Sequence, residues 1–212
     1  MQVKFKITIL FLSQIFFCTA QISNNLKKMI EPLDQQYFKI MLAENYNEEE
    51  YSDLDKMFTK ASKIATNDEL FYLALNGNTF VRVHSISPLI ERNDKRIIYL
   101  YRYYSEFPLS YKQKMGCVIS DQDMALSNIR SKIIYSIKNF EDYQYIKEKD
   151  EKELRLFFSE DEIRTFEDFK LDDFKNYLNE FNKIDKKFIP NRIETLEMIK
   201  QAWKDEKIQS QY

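Results

Sequence analysis

Only two glycines, Gly77 and Gly116, interrupt this 212-residue chain, together with four prolines. Tight hairpin turns need residues that accept a positive φ, and glycine does so without steric cost. A sheet of several strands would need such turns repeatedly, whereas short helix connections do not. The scarcity therefore predicts an all-α chain, and the apolar spacing agrees.

Leu26, Met29, Ile30, Leu33, Tyr37, Phe38, Met41 and Leu42 recur at steps of mainly three and four, interrupted near Pro32. That spacing marks one face of a helix. A second helix over 53–65, capped by Ser52, would bury Leu54, Met57, Phe58, Ala61 and Ile64. Thr66 and Glu69 form a capping box for a third, which Gly77 would end in a left-handed conformation. Asn78 caps a helix over 79–92, with a kink expected near Pro88 because proline lacks the backbone donor. Residues 95–107 follow, with Ile97, Ile98, Leu100, Tyr101 and Tyr104 as apolar positions. Residues 108–120 are the least helical stretch, and the run after Gly116 reads as a short extended segment. Helix resumes from Asp121, and Ser159 with Glu162 makes a second capping box. Asn191 with Glu194 opens a last helix, whose stripe would be Ile193, Leu196, Ile199 and Trp203.

The first twenty residues have a different layout. Lys4 and Lys6 precede an apolar run over residues 7–17, broken only by Ser13 and Gln14, and Cys18-Thr19-Ala20 follows. A basic start, an apolar run and small residues at the end describe a cleavable secretory signal, with cleavage expected after Ala20. A spanning helix needs about 20 apolar residues, more than this run supplies. Acylation at Cys18 is the third reading, and Phe17 stands where such sites carry a small residue. The expected organisation is a signal over residues 1–20 and one helical domain over residues 21–212.

Cleavage would leave 30 basic against 34 acidic side chains, a net charge near −4. Nucleic-acid binding depends on a basic excess that this chain lacks. Cys117 would be the remaining cysteine, so no intrachain disulfide forms, and its apolar neighbours Val118 and Ile119 argue for burial. Export without a disulfide framework fits a bacterial periplasm or the cell exterior better than an animal secretory route.

Residues 68–92 place two short helices around Asn76-Gly77-Asn78. The second carries Val81-Arg82, then Ser85, then Pro88-Leu89. This resembles a HEAT-type helical repeat. The resemblance implies antiparallel helix pairs, with Val81 and Leu89 in the core, Arg82 in a structural ion pair and Ser85 at a close helix approach. Pro88 stands where the repeat usually has alanine. The wider stretch 68–137, through Gly116 and Cys117, is similar to exported proteins of Bacteroidetes-type bacteria that pair a Val-Arg helix with a downstream Gly-Cys-Ile/Val motif. That likeness brings no activity with it. One unit is too few for a solenoid, so a compact multi-helix domain with HEAT-like pairs is expected.

Chemistry-bearing residues are sparse. His84 is the single histidine, which excludes paired-histidine zinc motifs. No metal site or cofactor is expected, and there is no glycine-rich phosphate loop. A Cys117–His84 nucleophilic pair lacks any family signature. The acidic pairs Asp121/Asp123, Asp161/Glu162 and Asp172/Asp173 could serve a hydrolase, yet each falls where a helix start is expected, and acids there favour the helix dipole. The candidate binding residues are Tyr99, Tyr101, Arg102, Tyr103 and Tyr104, because exposed tyrosine beside arginine is characteristic of interface hot spots. The sequence thus points to a non-catalytic interaction module with a protein partner in the envelope. An envelope hydrolase using paired carboxylates, or a protein that neutralises a secreted toxin, are the alternatives.

Overall fold

The computed structural model describes residues 22–42, 48–115, 118–149, 152–187 and 189–209. The expected signal segment with Ala20, and the pair Gly116 and Cys117, lie outside the described residues. The described chain is overwhelmingly helical. In order it runs α1 (Asn24–Leu42), α2 (Glu48–Ile64), α3 (Asn67–Asn76), α4 (Thr79–His84), α5 (Ile86–Glu91) and α6 (Ile97–Glu106). A hairpin follows, β1 (Ser110–Met115) and β2 (Val118–Asp123). The chain then continues through α7 (Met124–Lys149), α8 (Leu154–Phe157), α9 (Glu160–Glu167), α10 (Leu171–Lys186) and α11 (Arg192–Gln209). The all-helical expectation holds, and this two-stranded pairing falls in the stretch expected to be least helical. Its strands pair antiparallel from Ser110 with Asp123 to Met115 with Val118, in the stretch where helical spacing fails. Asp121 and Asp123 therefore stand on β2 rather than at a helix start.

Both capping boxes form: Thr66 Oγ1 accepts from the Glu69 N–H, and Ser159 Oγ from that of Glu162. Gly77 ends α3 at φ −66° and ψ 171°, an extended and not a left-handed conformation. Its requirement is space, since a Cβ there would stand 2.7 Å from Leu73 O and 2.9 Å from Val81 Cγ1. Asn78 Oδ1 accepts from the Val81 N–H and starts α4. The expected kink falls at Ser85, between α4 and α5, where Pro88 leaves the preceding turn without its donor. Ser85 is fully buried and its hydroxyl donates to Val81 O at 2.7 Å. Val81 and Leu89 are core residues, as expected.

The 26-residue α7 is the longest element and packs against α4, α5, α6 and α10. One core region joins α1, α2 and α4, where Tyr37, Phe58 and Phe80 meet. A run of rings, from Phe140 and Tyr143 through Phe166 and Phe169 to Phe174 and Tyr177, binds α7, α9 and α10. Two apolar assignments need correction. Ile64 lies exposed at the end of α2, and Ile193 and Leu196 face solvent on α11. The inward face of α11 is Thr195, Ile199 and Ala202, rotated from the stripe that the apolar letters alone suggest.

Beneath α6 lies a buried charge. Arg96 is 2 % exposed, and its guanidinium donates through Nε (2.9 Å) and Nη2 (2.6 Å) to Asp94 and through Nη1 to Asp68 at 2.7 Å. Its face lies 4.8 Å from the centre of the Phe71 ring and 6.0 Å from that of Trp203. This one side chain ties α3, the turn before α6, and α11 together. Removing one member of a buried ion pair strands the other and costs about 3–5 kcal/mol. Arg96→Met should therefore lower the urea midpoint by that equivalent, and adding Asp94→Asn should restore part of it. An unchanged midpoint in the single variant would show that the pair does not bear on stability.

Candidate functional site

The tyrosine-rich sequence of α6 divides between two faces. Tyr101 (2 % exposed) and Tyr104 (0 %) point into the core together with Ile97 and Leu100, at the three- and four-residue spacing of one helix face. They are not surface residues, so the five expected binding residues do not form one platform. The Tyr101 ring stacks on Phe181 at 4.0 Å, and its hydroxyl donates to Asp185 Oδ1 at 3.0 Å. Arg130 on α7 donates to that hydroxyl at 2.8 Å and to Asp185 Oδ2 at 2.5 Å. Burial is the main cause raising the Tyr101 hydroxyl above its usual range, so it stays protonated and remains a donor. Tyr104 donates its hydroxyl to Ala74 O at the end of α3.

Tyr99 and Arg102 lie on the other face, one turn apart, and line a groove of about 410 Å³ between α6, α10 and α11. Ile98, Tyr99, Ile184 and Met198 are half-buried within it, and Ile189, Lys183, Lys187 and Glu194 are exposed along its edges. Arg102 Nη2 donates to Ile189 O at 3.3 Å, and Glu106, one turn on, accepts the Asn191 N–H at 2.9 Å. These two side chains of α6 hold the connection that forms the groove's outer wall. Tyr103 stands on the opposite flank, its ring 6.0 Å from the Arg82 guanidinium and 4.9 Å from Phe107. Arg82 makes no ion pair among the described residues, and its Nε lacks a hydrogen-bond partner. Arg96 holds the buried pair instead. Arg92 performs a related task, donating to the carbonyls of Ala65 and Ser62 at the end of α2, both at 2.7 Å.

One member of each of two acidic pairs is engaged in structure. The Glu162 carboxylate completes the α9 capping box, and Asp173 accepts from Asn93 Nδ2 at 2.6 Å. In the groove, Glu180 is paired with Lys183 at 2.7 Å, and Glu194 accepts from Asn191 Nδ2 at 3.1 Å, while Asn191 Oδ1 accepts from the Glu194 N–H to start α11. Arg96, Asp94, Arg92, Arg130 and Asp185 carry no local sequence signal, because all but the Asp94–Arg96 contact bridge positions far apart in the chain. No helix among the described residues is long and apolar enough to cross a membrane. No family model matches this chain, and no curated protein or solved structure is significantly similar to it.

His84 lies between aromatic rings, stacked on Phe80 at 4.0 Å and near Phe58 at 5.7 Å. Burial pushes its pKa down to about 4, so it is neutral at pH 7 although Nδ1 lies 3.5 Å from Asp55 Oδ1. A neutral imidazole makes that contact a dipolar one. Because the folded value lies below the unfolded 6.5, the unfolded chain takes up the proton first. The stability tied to neutral His84 is complete above pH 6.5 and is lost as pH falls towards 4, by at most about 3 kcal/mol. Asp55, raised by its own burial, acts in the opposite sense at the acid end. Urea unfolding at pH 7 and pH 4.5 should show a larger loss for the wild type than for His84→Gln. Parallel losses in the two proteins would contradict the assignment.

Proposed function

We propose that this chain is an exported, non-catalytic protein-interaction module of the bacterial cell envelope, and that the groove between α6, α10 and α11 receives its partner. The observation that carries this reading is Tyr99 beside Arg102 over the apolar wall of Ile98, Ile184 and Met198. Tyrosine and arginine next to desolvated apolar surface are the residues that dominate binding energy at protein interfaces. The groove lies within the volume range of ligand-accepting clefts, about 300–1,000 Å³. The wall is also preformed, because Arg102 and Glu106 already hold it, and preformed surfaces lose less ordering entropy on binding.

Location in the envelope rests on the signal-like first twenty residues, and the HEAT-type likeness around Val81, Arg82 and Ser85 supports a binding role. The carboxylate-hydrolase alternative has less support, since Glu162 and Asp173 are engaged in capping and cross-helix bonds and the groove's Glu180 and Glu194 already hold Lys183 and Asn191. A partner that is a secreted toxin would use the same groove.

The test replaces Tyr99 and Arg102 together by alanine, leaving buried Tyr101 and Tyr104 intact. Helical circular dichroism should be unchanged. Loss of one hot-spot residue costs about 2 kcal/mol or more, so capture of the envelope partner retained by the wild type should fall at least about thirtyfold. Equal capture by both proteins would remove the groove from consideration.

A further inference from the structure

The rings that join α7, α9 and α10 also floor a cavity of about 240 Å³, which shares no lining residue with the groove. Phe169 is stacked on Phe140 at 4.8 Å and lies against Phe174 at 4.4 Å, so its position is set before any ligand arrives. Phe174 is buried, while Phe166 and Phe169 are half-buried and form the floor with it. The rim is polar. Ser136 and Asn139 stand three residues apart on one face of α7. Thr165 belongs to α9, and Asp168 and Lys170 to the turn that leads into α10.

Part of that rim already has partners. Glu91 is paired with Lys132 at 2.9 Å, Asn93 bridges Tyr177 and Asp173, and Thr165 donates its hydroxyl to Asp161 O at 2.8 Å. The side chains of Ser136, Asn139, Asp168 and Lys170 have no hydrogen-bond or ionic partner among the described residues. Asp168 also stands at the C-terminal end of α9, where the helix dipole disfavours an acid. Capping does not account for it, in contrast to Glu162 at the other end. These four side chains offer a hydroxyl, an amide, a carboxylate and an ammonium above an aromatic floor.

We propose that this cavity binds a neutral sugar ring. A pyranose presents C–H groups on its face and hydroxyls around its edge, and each hydroxyl both donates and accepts. The face suits the Phe166 and Phe169 floor, and the edge suits a rim that mixes donors with acceptors. The charges agree with a neutral ligand. Asp168 and Lys170 balance one another, and Glu91 is neutralised by Lys132. Size agrees as well, since the cavity is a little smaller than the clefts of about 300–1,000 Å³ that enclose drug-sized ligands. A ligand this small, held by so few polar groups, binds in about the millimolar range.

The test titrates the nitrogen-15-labelled full chain with glucose, galactose, mannose and N-acetylglucosamine in turn, each up to about 20 mM. At least one sugar should shift the backbone amide signals of Ser136, Asn139, Asp168 and Phe169 in a saturable way. Asn139→Ala with Asp168→Ala removes two exposed rim groups and leaves the aromatic floor in place; circular dichroism confirms that the variant folds. Its affinity for that sugar should fall about tenfold or more, because hydrogen bonds to the ligand, one of them to a charged group, are lost. Indole is the apolar control. A cavity that responds to indole and to none of the sugars takes an apolar ligand, which overturns the inference. So does the absence of a response to any of the four sugars. Sugar binding that is undiminished in the variant, or whose shifts gather on α6 and α11, would place the site elsewhere and equally overturn it.

Discussion

A guanidinium buried where three parts of the chain converge governs the positions of the rest. Arg96 could not sit at 2 % exposure without Asp94 and Asp68, since an isolated buried charge is prohibitively unfavourable. Satisfying it fixes the turn between α5 and α6 against the start of α3. The ring of Phe71 on one side and Trp203 on the other extend the restraint to α11. The direction in which α6 leaves that turn is thereby set. Asn93, at φ 53°, takes the left-handed conformation that asparagine tolerates best after glycine, and both its side chain and its carbonyl receive Tyr177 of α10.

From this turn outward, α6 works as a two-sided beam. Its inner side is held by packing and by hydroxyls: Tyr101 to Asp185, and Tyr104 to Ala74 O. Its outer side holds the groove wall through Arg102 and Glu106. Tyr101 and Tyr99 are two residues apart and have opposite tasks, one locking α6 onto α7 and α10, the other facing the open space between α10 and α11. Rigidity on the inner side is what presents the outer side in a single arrangement. A surface of that kind can discriminate between partners without refolding on contact.

Much of this was legible in the residues. The two capping boxes, the Asn78 and Asn191 starts and the break associated with Pro88 all follow from local chemistry, and local chemistry is what a sequence states directly. The burial of Val81, Ser85 and Leu89 was expected from the likeness to a helical repeat. The spacing of Ile97, Leu100, Tyr101 and Tyr104 also marked them as one inner face, and it outweighed the suggestion of surface tyrosines. Long-range partnerships were not legible. Arg96 and Asp68 are 28 positions apart, and Arg130 and Asp185 are 55 apart, so nothing near either residue announces the other. Arg82 was named for a structural ion pair by likeness to a repeat, while the buried pair belongs to Arg96. On α11 the exposed Ile193 and Leu196 misled for a different reason: apolar letters mark a face only when a neighbour is there to cover it. Gly77 was legible as a stop but not for the right cause, because crowding against Leu73 O and Val81 depends on the following helix.

Exposed Ile193 and Leu196 stand on α11, which also lines the groove, and the account turns on whether that region meets other proteins. Site-specific photocrosslinking in the intact envelope tests it most directly, with a benzophenone side chain placed in turn at Tyr99, Ile189 and, as a control on α7, exposed Tyr135. The account predicts discrete adducts from positions 99 and 189 and none above background from 135. Adducts confined to position 135, or equal at all three, would contradict it.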